Sequence, residues 1–140
     1  MPIEKKFLAY GHELDIDVSP LSAGLAFAVD WDKAFIAKPA LVKKKAESVE
    51  SRIVSIVLDD INAVPLGNEP VMPNNKIIGK TTSSAFGFRV NAPVALADVS
   101  DANGRVEDAV VHVNIAGDLF AGKVKRGPVF DPKGSRMRNA

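Results

Sequence analysis

Several carboxylates stand close together in this sequence: Asp15 with Asp17, Asp30 with Asp32, and Asp59 with Asp60. Two carboxyls can divide acid and base work when burial drives their pKa values apart. All three pairs lie among polar, turn-forming residues, so they read as solvated surface. Ser, His and Asp all occur, but no G-x-S-x-G elbow presents a serine nucleophile. His112 alternates with Val111 and Val113, which makes it a strand histidine before a catalytic one. Gly79-Lys80-Thr81 looks like the end of a phosphate-binding loop, yet position 74 is Asn where that loop needs its first glycine. The segment also reads as strand rather than as the entry to a helix, and we reject the loop. Cysteine is absent, which excludes disulfides, thiolate metal sites, iron–sulfur clusters and cysteine nucleophiles. His12 and His112 are the only imidazoles, so a histidine metal site would need carboxylates as well.

Toward the end, Lys123, Lys125, Arg126, Lys133, Arg136 and Arg138 are opposed only by Asp131. Such a cluster would draw an anionic ligand or partner, and it equally suits a soluble tail. Over the whole chain, 18 basic residues face 17 acidic ones for a formal net charge of +1. That balance argues against broad nucleic-acid binding. No apolar run approaches the roughly 20 residues of a membrane span. The opening MPIEKKFLAYGHELD lacks the layout of a secretion signal, and the expected setting is cytoplasmic.

The elements that must position these groups fall into two parts. With 140 residues, 46% of them hydrophobic, the chain can bury one ordinary core. In residues 1–19, Leu14, Ile16 and Val18 alternate with acids and suggest a short extended segment. Residues 21–29, LSAGLAFAV, are nearly continuous apolar sequence and are expected to be buried, with Ala23 and Gly24 marking the close approach of a backbone or a ligand. Pro39 opens a helix predicted over residues 39–48, whose Lys43, Lys44, Lys45, Glu47 and Glu50 form a solvated face. Strand signals then take over at residues 52–58, 69–72, 76–84, 93–99, 109–115 and 119–125, separated by turn clusters. One of those clusters is Asp101-Ala102-Asn103-Gly104, and Asn74-Asn75 and Gly117-Asp118 read as tight hairpin turns. Six short strands predict a mainly β fold: a small antiparallel Greek-key or jelly-roll-like barrel with an N-terminal α/β arm. An arm of about 50 residues cannot form its own core and must pack on the barrel, on another chain or on further sequence.

Residue patterns carry the reading further. Tyr10-Gly11-His12-Glu13-Leu14, the block from Ser19 to Leu25, Asp32-Lys33-Ala34-Phe35-Ile36, Gly67-x-x-Pro70, Ile78-Gly79-x-x-Thr82-Ser83 and Pro93-Val94-Ala95-Leu96-Ala97 occur in one order. That order resembles the C-terminal part of the glycine-cleavage T-protein, the aminomethyltransferase family. Ser84-Ala85-Phe86-Gly87-Phe88-Arg89-Val90 and Phe130-Asp131-Pro132-Lys133-Gly134-x-Arg136-Met137-Arg138 are similar to the aminomethyltransferase portion of dimethylglycine and sarcosine dehydrogenases.

The resemblance implies residues 1–50 as the tail of a folate-binding domain and residues 51–140 as the C-terminal barrel domain. It implies tetrahydrofolate as cofactor and an aminomethyl or methylamine-type substrate in the full-length protein, with no nucleic acid and no membrane as partners. The family's catalytic aspartate lies in the N-terminal part, upstream of this sequence, so no residue here is expected to be catalytic. Ser22 stands where the family has a pterin-binding glutamate; a hydroxyl offers one neutral hydrogen bond where a carboxylate accepts two. Gly24, with Ala23, matches small residues beside the ligand cavity. Arg52 is the nearest match to an arginine that contacts the folate tail, and the alternative is an ordinary strand-end arginine. Trp31 is expected to pack between subdomains, and Lys33 and Phe35 to hold the arm on the barrel. Residues 21–29 suggest a homodimer contact. A competing reading is a free-standing barrel that has lost folate chemistry and serves as a binding module.

Overall fold

Alternation along Ser51–Leu58 (β1) decides the architecture: Val54, Ile56 and Leu58 point one way, and Ile53, Ser55 and Val57 the other. A computed structural model describes residues 2–47, 49–101 and 106–138. Five further strands follow: Pro70–Met72 (β2), Gly79–Gly87 (β3), Ala92–Ser100 (β4), Val110–Ile115 (β5) and Asp118–Lys125 (β6). They close into a six-stranded antiparallel barrel in the order β1-β4-β3-β2-β5-β6. Strands β2, β3 and β4 are sequential neighbours, and β1 lies beside β4, which is the Greek-key arrangement.

The interior is filled mainly by small and β-branched side chains. Val54, Ile56, Leu58, Val71, Ala97, Val99, Val111, Val113 and Val124 form one buried cluster. Valine suits this place because it packs on a pleated surface and a narrow barrel has little room for larger groups. Gly79 and Gly122 stand where strands crowd. A Cβ on Gly122 would meet Ile56 Cγ2 at 2.8 Å and Leu58 Cδ2 at 2.9 Å. The glycine of the rejected Gly79-Lys80-Thr81 loop therefore has a packing role within β3: a Cβ there would strike the Asp98 carbonyl oxygen of β4 and come 2.7 Å from Val99 Cα.

The arm lies on the outside of β1, β4 and β3. Ile3, Leu8 and Val129 pack with Val94 and Leu96, which point outward from β4. Glu13, only 2% exposed, accepts hydrogen bonds from the Thr82 hydroxyl (2.8 Å), the Ser83 hydroxyl and the Ala9 amide (3.0 Å). One buried carboxylate thus ties the arm to β3.

Several expectations are corrected. The arm holds no strand near Leu14; a 3-10 turn at Ile3–Lys5, a series of turns and one isolated Tyr10–Leu14 bridge stand there instead. Helix α1 runs Lys38–Ala46, because Glu47 is already extended (ψ 160°); Ser48 lies outside the described residues. The β5–β6 turn is Ala116-Gly117, since Ile115 pairs with Asp118 and both turn residues have positive φ (54° and 101°). No tight turn forms at Asn74-Asn75, because Val71 pairs with Gly79 and leaves a longer excursion. Strand β3 accordingly starts and ends three residues later than predicted, at Gly79 and Gly87. Of the turn at 101–104, residues 102–104 lie outside the described residues.

Candidate functional site

Strand β6 covers β1 only from Ser55 to Leu58, so the edge of β1 at Ile53 would be bare. The arm fills that gap. The Ile53 amide donates to the Ser22 carbonyl at 3.0 Å, and the Ile53 carbonyl accepts from Lys6 Nζ at 2.6 Å. Lys6 also donates to the Arg126 carbonyl at 2.5 Å, just where the chain leaves β6. The ammonium is a wedge across the split between β1 and β6, satisfying groups that a longer β6 would have paired.

Two clefts open around this junction. The first, about 590 Å³, is lined by Ser22, Ser19 and Asp17 of the arm, Lys44 and Glu47 at the end of α1, and Ser51 of β1. The Ser19 and Ser22 hydroxyls lie 3.0 Å apart. The second, also about 590 Å³, is lined by Lys6, Phe7, Gly24, Leu25, Phe27 and Arg126. The three residues singled out from the sequence are thus not in one pocket. Ser22 faces the first cleft and Gly24 the second. Gly24 has φ +75°, and its missing Cβ would lie 3.9 Å from Lys6 Nζ in ordinary contact. Backbone conformation, not crowding, is why glycine stands there.

Arg52 is engaged within the protein. Its Nε lies 3.1 Å from Asp101 Oδ2, and Arg126 Nη2 donates to the same oxygen at 2.8 Å. Asp101 is buried, and its other oxygen accepts from the Val106 amide at 3.2 Å. Two guanidiniums on one carboxylate leave local positive charge, so Arg52 keeps the capacity to attract an anion. It is part-exposed, with 30% of its side chain accessible.

Sequence reasoning missed Lys6. Burial lowers its pKa to about 8; the nearby Glu107 opposes the shift and Arg52 adds to it. A lysine in an irregular arm carries no motif, so the signal was absent from the sequence. Its backbone is in the left-handed region (φ 53°).

The remaining candidates disperse. Asp15, Asp17, Asp30, Asp32, Asp59 and Asp60 are exposed, as the sequence suggested. His112 is half-buried on β5, paired across the ladder with Ala121 and Met72. The basic cluster near the end is not one patch: Asp108 pairs with Lys123 and Lys125, Asp101 with Arg126, and Asp131 with Lys5. Residues 21–29 are only partly buried: Leu21 (8%) and Ala23 (3%) are inside, while Phe27 is 86% exposed. Trp31 donates to the Ala26 carbonyl at 3.2 Å and lies under Lys45, so it braces the arm against α1. Phe35 is half-buried beside α1, and Lys33 is exposed. Among the described residues no helix is long and apolar enough to cross a membrane.

Comparison with known families decides what this barrel is. The model of the glycine cleavage T-protein C-terminal barrel domain matches residues 52–131. The chain belongs to that family. Its relatives include both branches that the sequence patterns resemble. It is 34% identical over 140 residues to 4-methylaminobutanoate oxidase (formaldehyde-forming) of Paenarthrobacter nicotinovorans, covering 96% of this chain and 16% of that protein. It is 32% identical to human mitochondrial dimethylglycine dehydrogenase over 97% of this chain and 16% of the relative. A probable aminomethyltransferase of Pyrococcus horikoshii is 31% identical over 94% of this chain and 35% of its own length. The chain therefore spans about one-sixth of the first two relatives and a third of the last. In fold it matches the crystal structure of the glycine cleavage system aminomethyltransferase T from Bartonella henselae, with a TM-score of 0.80 over 93% of this chain and 37% of that one at 24% identity.

Proposed function

We propose that this chain supplies one wall of a tetrahydrofolate site in a protein that transfers one-carbon units from an aminomethyl or methylamine-type substrate. Residues 1–50 act as the tail of a folate-binding domain, and residues 51–140 as the C-terminal barrel domain against which it is anchored. The observation that carries this reading is that similarity to N-methylamine oxidoreductases and to an aminomethyltransferase runs through both the arm and the barrel. In this arrangement Ser22 faces the pterin, Gly24 gives the arm its turn beside the ligand, and Arg52 draws the anionic tail. This chain alone should not turn over substrate, because the family resemblance puts the acid–base group and the other walls in parts of the relatives that it does not cover.

Ser22 favours a second reading. Exchange of a glutamate for serine removes a charge-assisted pair of hydrogen bonds, so a binding module that has lost folate chemistry competes with the first. Titration with tetrahydrofolate separates them. The native chain should bind in the millimolar range, since an open half-site holds little of a ligand. Ser22→Glu should bind about tenfold more tightly, as one restored charged hydrogen-bond pair allows. Equal affinity in both proteins, or none in either, overturns the folate reading.

A further inference from the structure

We propose that the open edge of β3 at Ser84-Ala85-Phe86 takes up a short, uncharged, extended segment of another polypeptide as an added strand. Strand β2 covers only the start of that edge, through Pro70 opposite Lys80 and Val71 opposite Gly79. The last contact is Thr81, whose amide donates to the Glu69 carbonyl at 2.9 Å and whose carbonyl accepts from the Asn68 amide at 2.8 Å. There the neighbouring chain turns away, with positive φ at Gly67 (117°) and Asn68 (66°). Strand β3 itself continues to Gly87. In an antiparallel ladder, residues that bond to one neighbour alternate with residues that face the other side. Phe86 stands opposite Pro93, which has no N–H to give, so Phe86 belongs to the outward-facing set and Ser84 with it. Among the described residues no hydrogen bond reaches the backbone N–H or C=O of either. Two donors and two acceptors thus stand in a row beyond the end of β2.

The surroundings of this row say what covers it. The same three residues line a cleft of about 340 Å³ together with Ile61, Val64, Pro65 and Leu66. The Ser84 hydroxyl donates to the Pro65 carbonyl and ties the two sides of the cleft together. None of the lining residues is charged, and Val64 (64%) and Leu66 (88%) are largely exposed. Apolar walls call for apolar side chains. The unpaired backbone groups call for the regularly spaced amides and carbonyls of an extended chain, and strand addition supplies both. A charged ligand would find no counter-charge here. A second copy of this chain is a poorer fit, because three residues of edge span only roughly 10 Å, and a stable dimer buries roughly 800 Å² per partner. This edge lies along Pro93, Val94 and Ala95 of β4, toward the opposite end from Val99, which pairs with Arg52. The inference is therefore independent of the folate reading.

The test titrates the native chain with the peptide acetyl-QTVTVTQ-amide, following amide chemical shifts and hydrogen exchange. A second peptide of the same sequence is N-methylated at two adjacent central residues, one for each edge of its strand. The first peptide should bind with a dissociation constant below about 1 mM, with its largest shifts at Val64, Leu66, Ser84 and Phe86. Exchange of the Ser84 and Phe86 amides should slow on binding. The methylated peptide should bind at least about tenfold more weakly, since it cannot complete the backbone hydrogen bonds. Leu66→Ser, at a largely exposed position, should weaken the first peptide several-fold while thermal unfolding stays close to native. Equal binding of the two peptides, or no shift along β3 at millimolar peptide, overturns the proposal. Protection of the Ser84 and Phe86 amides that rises with protein concentration in the absence of peptide also overturns it, because a second copy would then be the occupant.

Discussion

Ser22 and Ile53 are joined backbone to backbone, with the Ile53 amide donating to the Ser22 carbonyl at 3.0 Å across a part of β1 that β6 does not reach. The residue offered for the pterin is therefore placed by a strand edge and not by a mobile loop. The neighbouring Lys6 completes the same edge from the other side, through the Ile53 carbonyl.

Glu13 gives the arm its pH dependence. Burial alone would raise its pKa, but hydrogen bonds from Ser83, the Ala9 amide and Thr82 outweigh burial and lower it. A carboxyl lowered in the folded state contributes stability above its unfolded value, near 4.5, and that contribution is lost as pH falls through the folded value. Urea midpoints of the native protein should therefore fall below about pH 4.5 more steeply than those of Glu13→Gln. At neutral pH, Glu13→Ala should cost about 2 kcal/mol, because two hydroxyls and an amide lose their acceptor.

Gly79 should tolerate no side chain. The Cβ of alanine would strike backbone atoms of β4, which cannot swing aside as a side-chain tip can. Thermal unfolding of Gly79→Ala should show a loss of more than about 3 kcal/mol. Alanine at Gly117, where nothing lies within 4 Å, should cost far less, namely the strain of a positive φ alone.

Asp101 neutralises Arg52 and Arg126 together, and its removal leaves both guanidiniums near one another with no shared carboxylate. Asp101→Asn should destabilise by about 3 kcal/mol in denaturant titrations. Added phosphate should restore part of that loss, since an anion can take the carboxylate's place between the two guanidiniums.

Exposed apolar groups on the arm should make the chain self-associate. Phe27 is 86% exposed, Ile16 88% and Ile36 103%, in a segment whose Leu21 and Ala23 are already anchored. Sedimentation should show a concentration-dependent dimer, and Phe27→Ser should shift it toward monomer.

The barrel was legible because its signal is local. Period-2 alternation and β-branched runs mark β1, β4, β5 and β6, and turn residues separate them. The course of the arm was not legible, since it has no periodicity of its own and is shaped by the outer face of β4 and β3. Residues 21–29 show the difference: hydrophobicity foretold burial, but only Leu21 and Ala23 find the barrel and Phe27 does not. The site was partly legible. Ser22, Gly24 and Arg52 could be picked out by their surrounding patterns, yet the separation of Ser22 and Gly24 into two clefts depends on how the arm crosses β1. Lys6 was invisible, because its burial and its two carbonyl partners, on β1 and just past β6, are set by the tertiary fold.

The central claim concerns where tetrahydrofolate meets this chain. Amide chemical-shift mapping during a titration tests it most directly. We expect the largest shifts at residues 19–24 and 51–53, with the far side of the barrel unmoved. Shifts centred instead on the apolar groove of Val64, Leu66 and Phe86, or no shifts at saturating ligand, would contradict the assignment.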